Sequence, residues 1–126
     1  MRSWVWVGLA GMAGASCRFL FGRLVVMDVE FPVATFLVNM IGTFLLCYLV
    51  AGALPRWTTR KELQDAITTG FLGSFTTFSA FGMEVVLLVE QGRVAIAALY
   101  VAASLIGGMA VGAAGFYAGG RRRGHI

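Results

Sequence analysis

A chain of 126 residues that is 59% hydrophobic and 13% charged, with a mean hydropathy of +0.83, has too little polar surface for an ordinary soluble domain. Its formal charge of +4, from 10 Lys and Arg against 6 Asp and Glu, sits almost wholly between or beyond the apolar runs. That placement fits membrane-interface charge and leaves no basic folded surface to meet nucleic acid.

A helix crossing the hydrocarbon core needs about 20 mostly apolar residues. Four windows meet that length, at about 4–26, 31–54, 66–89 and 94–118, and the second and fourth carry no charge. The fold class predicted is therefore an all-α membrane protein of four transmembrane helices in a single domain, 1–126. The connections are short, over 27–30, 55–65 and 90–93, and only the middle one has room for an interfacial turn of helix. The first window is too long for a signal-peptide core and has no convincing cleavage site, so it is expected to be retained.

In the first window, Gly11 and Ala15 are four residues apart, a spacing that lets helix backbones approach closely in lipid. Cys17 and Cys47 fall inside spans with no metal-like spacing and are expected to be small buried apolar residues. Arg18 lies about two thirds of the way along the window. It either snorkels to the interface or places an anion-attracting charge at the mouth of a water-filled vestibule. In the second window Asn39 stands in TFLVNMIGTF, where its amide either bonds a neighbouring helix or donates to a ligand.

The third window carries Gly70, Gly73, Ser74, Thr76, Thr77 and Ser79 within ten residues. Glycines beside hydroxyls weaken a helix and can free backbone carbonyls. Inside a membrane that is tolerated only where protein, water or an ion satisfies the freed groups. Carbonyls aimed at one point suit an alkali cation, and with no carboxylate cluster nearby a divalent ion is not expected. Phe71, Phe75, Phe78 and Phe81 follow at spacings of four, three and three, forming one helical stripe. Such a stripe is commonly packing, yet this one is interleaved with hydroxyls that apolar packing does not need. Phenyl rings have a positive edge, so rings turned edge-on, with Ser79 or Asn39 donating, would hold a small bare anion. Glu84 lies on the same stripe and fits an anion route only if protonated, hydrogen-bonded or at the rim.

In the fourth window Tyr100 and Ser104 are four apart and share a face with Gly108, and their hydroxyls would extend a polar track. Gly108 and Gly112, then Gly115 and Gly119, repeat the packing spacing. Arg121, Arg122 and Arg123 then form the only dense basic run, read as a cytoplasmic anchor on anionic lipid, and His125 has no partner in sequence. With four spans, the termini and middle connection share a side. That side holds Arg2, Arg56, Arg60, Lys61 and the three terminal arginines, against Arg23 and Arg93 opposite, which favours cytoplasmic termini.

GMAGASCRF in the first window, TFLVNMIGTF in the second and GFLGSFTTFSAF in the third resemble the Fluc (CrcB-type) fluoride channels, and the resemblance runs in order through all four windows. It implies a broken third helix and an antiparallel, dual-topology dimer in the bacterial plasma membrane. The implied function is passive, fluoride-specific export that protects against fluoride toxicity, with no enzymatic step. The implied fluoride pathway comprises Asn39, Phe78, Ser79, Phe81, Glu84, Tyr100 and Ser104, with Thr35 nearby and Arg18 at the vestibule. The implied metal is a structural sodium ion, not transported, on the backbone carbonyls of Gly73 and Thr76. Two positions depart from the family pattern: Ala80 and Gly108 stand where hydroxyl residues are usual. Partners are then fluoride, membrane lipid and an antiparallel homodimer or, given the charge bias, a paralogous subunit. The rival is a small multidrug-resistance-type cation exporter, which needs a membrane-embedded carboxylate in the first span, where this chain has Arg18 and no acid. A non-transporting accessory subunit would explain the packing glycines but not the hydroxyls and phenylalanines of the third window.

Overall fold

The computed structural model describes residues 3–25 and 31–123, apart from the side chains at 3 and 121–123. The expectations for Arg2, the connection 27–30, His125 and the side chains of Arg121, Arg122 and Arg123 fall outside that range. Among the described residues every regular element is helical, and four helical stretches are long and apolar enough to cross a membrane: Trp4–Leu24, Val33–Trp57, Lys61–Glu90 and Val94–Gly120.

Helix α1 (Ser3–Leu24) and helix α2 (Val33–Tyr48) are regular. The second span continues through a π-helical turn, Leu49–Ala53, into the short helix α3 (Leu54–Trp57). Pro55 is accommodated there because it falls in the first turn of α3, where its missing N–H is not needed. The third span starts earlier than hydropathy indicates, at α4 (Lys61–Asp65), whose Lys61 and Asp65 pair across one turn at 3.7 Å. It runs on through a π-helical segment, Ala66–Leu72, into α5 (Gly73–Phe75). Only residues 58–60 of the middle connection are therefore non-helical. The charges of KELQD lowered the hydropathy without lowering the helix propensity.

Helix α5 ends at Phe75, Thr76 is extended (φ −78°, ψ 159°), and helix α6 (Ser79–Glu90) starts three residues on. Gly92, at φ +79°, closes α6: its N–H reaches the Val89 carbonyl and that of Arg93 the Leu88 carbonyl, the double bond pattern of a glycine C-cap. Helix α7 (Val94–Arg123) completes the fold.

Packing follows two glycine seams. A Cβ at Gly14 would collide with the Phe71 carbonyl, and one at Gly70 would lie 2.6 Å from the Val7 carbonyl, so α1 and the π-helical segment touch backbone to backbone. A Cβ at Gly115 would lie 2.6 Å from the Phe44 carbonyl, and one at Gly119 would strike that of Tyr48, which joins α7 to α2. Gly14, not the Gly11 that spacing singles out, is the tightest point on α1: a Cβ at Gly11 would lie 3.0 Å from the Ser74 hydroxyl and 3.6 Å from the Gly70 carbonyl oxygen. Two small apolar clusters fill the remainder, Leu49–Ala53–Leu54–Leu72 and Leu88–Ala97–Tyr100.

The cysteines differ from expectation. Cys17 is exposed on the chain and Cys47 is half-buried against α7. A membrane helix keeps its outward face apolar too, so a small apolar residue inside a span need not point inward. Large exposed apolar side chains on every span, Leu24 and Phe78 both at 83%, face whatever surrounds one chain, lipid or another subunit.

Candidate functional site

The interruption between α5 and α6 organises the polar groups. A helix that stops loses its i→i−4 partners, and here side chains from other spans supply substitutes. The Asn39 amide grips the main chain of Thr77 twice: Nδ2 donates to the Thr77 carbonyl at 2.9 Å, and Oδ1 accepts the Thr77 N–H at 2.8 Å. Within the segment, Thr77 Oγ1 accepts the Ala80 N–H at 3.1 Å, capping the first turn of α6. Thr76 Oγ1 donates back to the Leu72 carbonyl at 3.0 Å. Side-chain hydrogen bonds between membrane helices average only about 0.6 kcal/mol, so the Asn39 pair contributes position more than stability.

Arg18 Nε donates to the Ser74 carbonyl at 3.2 Å, and the side chain is half-buried. It is thus tied to the end of α5 instead of snorkelling away. It also lines a cavity of about 490 Å³ between α1, α2 and the start of α6, together with Arg23, Thr35, Thr77 and Ala80. No described carboxylate lines that cavity, so its field is positive.

A second cavity, of about 310 Å³, lies on the other side of the interruption. It brings together Asn39, Phe78, Phe81 and Ser104 from the predicted set, with Thr76, Thr77 and Gly108. The Phe78 and Phe81 rings are tilted at 33° with centroids 5.9 Å apart. The expected single stripe of four phenylalanines is not present. Phe71 and Phe75 stack on each other inside the first half, at 6.1 Å, whereas Phe78 stands 83% exposed. Three non-helical residues rotate the second pair away from the first.

Glu84 and Tyr100 line neither cavity. Glu84 Oε1 accepts from Thr35 Oγ1 at 2.6 Å, which supplies the hydrogen-bonded environment that its position demanded. Tyr100 is fully buried, and its hydroxyl makes no hydrogen bond of ordinary geometry, although Thr35 and Glu84 lie beside it. Its ring joins this polar group to the second cavity through Phe81, at a centroid distance of 4.9 Å. Ser79 is exposed and sits 3.4 Å from Thr77 Oγ1.

Among the described residues no backbone or side-chain donor is paired with the main-chain oxygens of Gly73 and Thr76, because the Thr77 and Ala80 N–H groups that a continuous helix would present to them turn to Asn39 and Thr77. Neutral hard oxygens of this kind fit a monovalent cation. Among the described residues there is no group of three His, Cys, Asp or Glu that would favour a transition metal. Thr77, which sequence reasoning passed over, turns out to be the hub of the interruption. The one signal available for it was its place in a run of hydroxyls.

Four apolar spans, the third of them interrupted and hydroxyl-rich, define a multi-pass membrane protein. The chain belongs to the CrcB family: the model described as CrcB-like protein, Camphor Resistance (CrcB), matches residues 5–116. It is 44% identical over 114 residues to a Geobacillus kaustophilus protein named fluoride-specific ion channel FluC 2, covering 89% of this chain and 88% of that one. It is 39% identical over 115 residues to a Bacillus cereus protein named fluoride-specific ion channel FluC 1, covering 90% and 84%. A Listeria innocua relative, also named FluC 2, is 40% identical over 105 residues, covering 83% and 81%.

Proposed function

We propose that this chain is a fluoride-specific ion channel that lowers cytoplasmic fluoride by passive export across the bacterial plasma membrane, and that it is not an enzyme. The observation that carries the reading is the second cavity. Asn39, Phe78, Phe81 and Ser104 meet there around a helix interruption, a set that offers amide, hydroxyl and ring-edge donors without a fixed charge. Together with the fluoride-channel names of relatives near 40% identity, that donor set favours a small, strongly hydrated anion.

The energetics need no coupled energy source. Hydrogen fluoride enters as a neutral molecule and ionises in the less acidic cytoplasm. An interior-negative potential of about 100 mV then favours exit of one negative charge by about 2.3 kcal/mol. Arg18 gathers anions in the first cavity. Selection against chloride comes from a narrow path in which ring edges and hydrogen-bond donors replace fluoride's water. The Thr35–Glu84–Tyr100 group extends the polar track behind Phe81.

The interruption of the third span is a working part of this reading, because it turns Phe78 out of the chain and frees the carbonyls of Gly73 and Thr76. Those two oxygens would hold a structural sodium ion, which is not transported. A bound cation would neutralise oxygens that otherwise lie unsatisfied in the membrane and so fix the interruption. A phenylalanine that is 83% exposed at the rim of the site calls for a second subunit to complete the path, and an antiparallel dimer is the assembly proposed. The skewed charge distribution favours cytoplasmic termini, and the relatives named FluC 1 and FluC 2 support considering a paralogous partner beside the homodimer. Tagging both termini and measuring their sidedness in a strain without any paralogue separates the two: an even split supports the homodimer.

The direct test is a liposome flux assay comparing fluoride, chloride and an organic cation. Fluoride alone should pass. Passage of the organic cation in exchange for protons would instead establish the exporter, and no flux of any kind would leave an accessory subunit.

A further inference from the structure

Thr77 is the one described residue that lines both cavities, the one containing Arg18 and the one containing Phe78 and Phe81. We propose that its hydroxyl is the crossing point between them, donating a hydrogen bond to the anion as it leaves the arginine side for the phenylalanine side. The proposal rests on the fluoride-channel reading and adds to it a specificity-determining residue.

Three features fit Thr77 to that role. Its main chain is held from both sides by the Asn39 amide, at 2.8 and 2.9 Å, so the side chain is presented from a fixed point despite lying in a non-helical stretch. Its oxygen already accepts the Ala80 N–H at 3.1 Å, which leaves the hydroxyl hydrogen as the group with work to do. Among the described residues the one oxygen paired with that hydroxyl is Ser79 Oγ at 3.4 Å, well beyond the 2.5–3.0 Å of a good O–H···O bond. The donor is therefore weakly engaged and ready for a stronger acceptor.

Chemistry supplies the need. An anion beside Arg18 is stabilised by a full positive charge, whereas the far cavity offers only neutral dipoles. Between the two, the ion is partly stripped of water, and a donor in the dividing wall offsets that loss where it is greatest. Ala80, on the next part of the wall, has no hydroxyl to share the task, and Ser79 lines neither cavity. Among the described residues that burden falls on Thr77.

Three variants, reconstituted in liposomes and checked for dimer by gel filtration, test the assignment. Thr77→Ser keeps the hydroxyl and should conduct close to the unmodified chain. Thr77→Val removes it; losing a hydrogen bond to a charged ion at the crossing should slow fluoride flux about tenfold to a hundredfold. Thr77→Asp separates this from a merely structural role. Aspartate is a good cap for the Ala80 N–H, so the folded dimer should melt no lower than that of Thr77→Val, yet the negative charge in the wall should abolish fluoride flux. The assignment is overturned if Thr77→Val conducts like the unmodified chain, if Thr77→Ser is silent, or if Thr77→Asp conducts as well as Thr77→Ser, which would leave capping as the whole role. Should Thr77→Val fail to assemble, Thr77→Asp alone decides. Absence of fluoride flux in the unmodified chain would overturn the channel reading and this assignment together.

Discussion

The two halves of the third span are held in opposite ways. Before residue 76 the chain lies backbone to backbone against α1, with Gly14 under the Phe71 carbonyl and Gly70 under that of Val7. After residue 78 it is held by side chains: Phe81 against Tyr100, and Leu88 with Ala97. The first half is close-packed and meets Arg18 through the Ser74 carbonyl, whereas the interruption and the second half carry the exposed Phe78 and the side-chain contacts of Thr77 and Glu84. Close backbone contact tolerates no added atom, so it suits a fixed platform. Side-chain contact can leave donors and ring edges facing a cavity. The division suggests where a substitution will destroy the protein and where it will only change what the protein does.

The largest effect should therefore come from the platform. Gly14→Val forces a branched side chain into the Phe71 carbonyl, which belongs to backbone and cannot rotate away. Overpacking of a deformable core costs about 1–3 kcal/mol, and a rigid backbone neighbour should raise that cost until no folded protein is recovered. Gly8→Val on the same helix is the control, since nothing lies within 4 Å of a Cβ there. Gel filtration of both variants checks the pair. Equal yields would show that α1 and the third span are not in close contact.

Next in size are Phe78→Ile and Phe81→Ile, which keep apolar bulk but remove the ring edge. Each should cut fluoride flux by at least about tenfold, the loss of one good interaction with a bare charge, while the protein still folds. Unchanged flux in both would remove the ring-edge account. It would also dissolve the contrast between the two halves, because the phenylalanines of the second half would then be packing like those of the first.

How far the sequence alone foretold this contrast depends on the range of the contacts. The four spans were legible because hydropathy is summed along a helix and needs no partner. Room for a turn of helix in the middle connection was legible too, but its continuity with the third span was not, since the charges of KELQD lower the hydropathy there. The glycine spacing pointed to close packing but chose Gly11, because only the facing helix determines that Gly14 is the tighter point. Asn39 was recognised as costly, yet nothing local connects it to Thr77, 38 residues on, and so Thr77 stood only as one hydroxyl in a run of them. Glu84 was puzzling for the same reason until Thr35, 49 residues away, supplied its donor. Local chemistry was visible, and its long-range partners were not.

A smaller effect is expected from sodium removal, which probes the joint between the halves. If the carbonyls of Gly73 and Thr76 hold a cation, replacing sodium with a bulky organic cation should lower fluoride flux or weaken the dimer. Thr76→Ser should stay mild, because the main-chain oxygen is unchanged and the serine hydroxyl can still reach the Leu72 carbonyl that Thr76 Oγ1 engages. Flux and dimer stability after exhaustive dialysis are the measurements. Full activity without sodium would mean that the side-chain bonds of Asn39, Thr76 and Thr77 hold the joint without a cation.

The smallest effect should follow from Ala80→Ser, which adds a hydroxyl where the resemblance to the fluoride channels implies one. Residue 80 is half-buried and lines the Arg18 cavity, so the added group faces the anion route and not lipid. In an unbroken helix a serine hydroxyl would turn back to bond the carbonyl four residues earlier. Here that carbonyl belongs to Thr76, which is extended and outside α6, so the helical geometry for such a bond is missing. The hydroxyl is left to the cavity, beside that of Thr77. One additional neutral hydrogen bond contributes about 0.5–1.5 kcal/mol, and shared between ion and water its effect on rate should fall at the low end, a rise in fluoride flux of about twofold. Flux measured at low fluoride, where entry limits the rate, gives the clearest reading. A fall in flux would show that the new hydroxyl competes with the ion for Thr77, and that in this chain Ala80 keeps the Thr77 donor free.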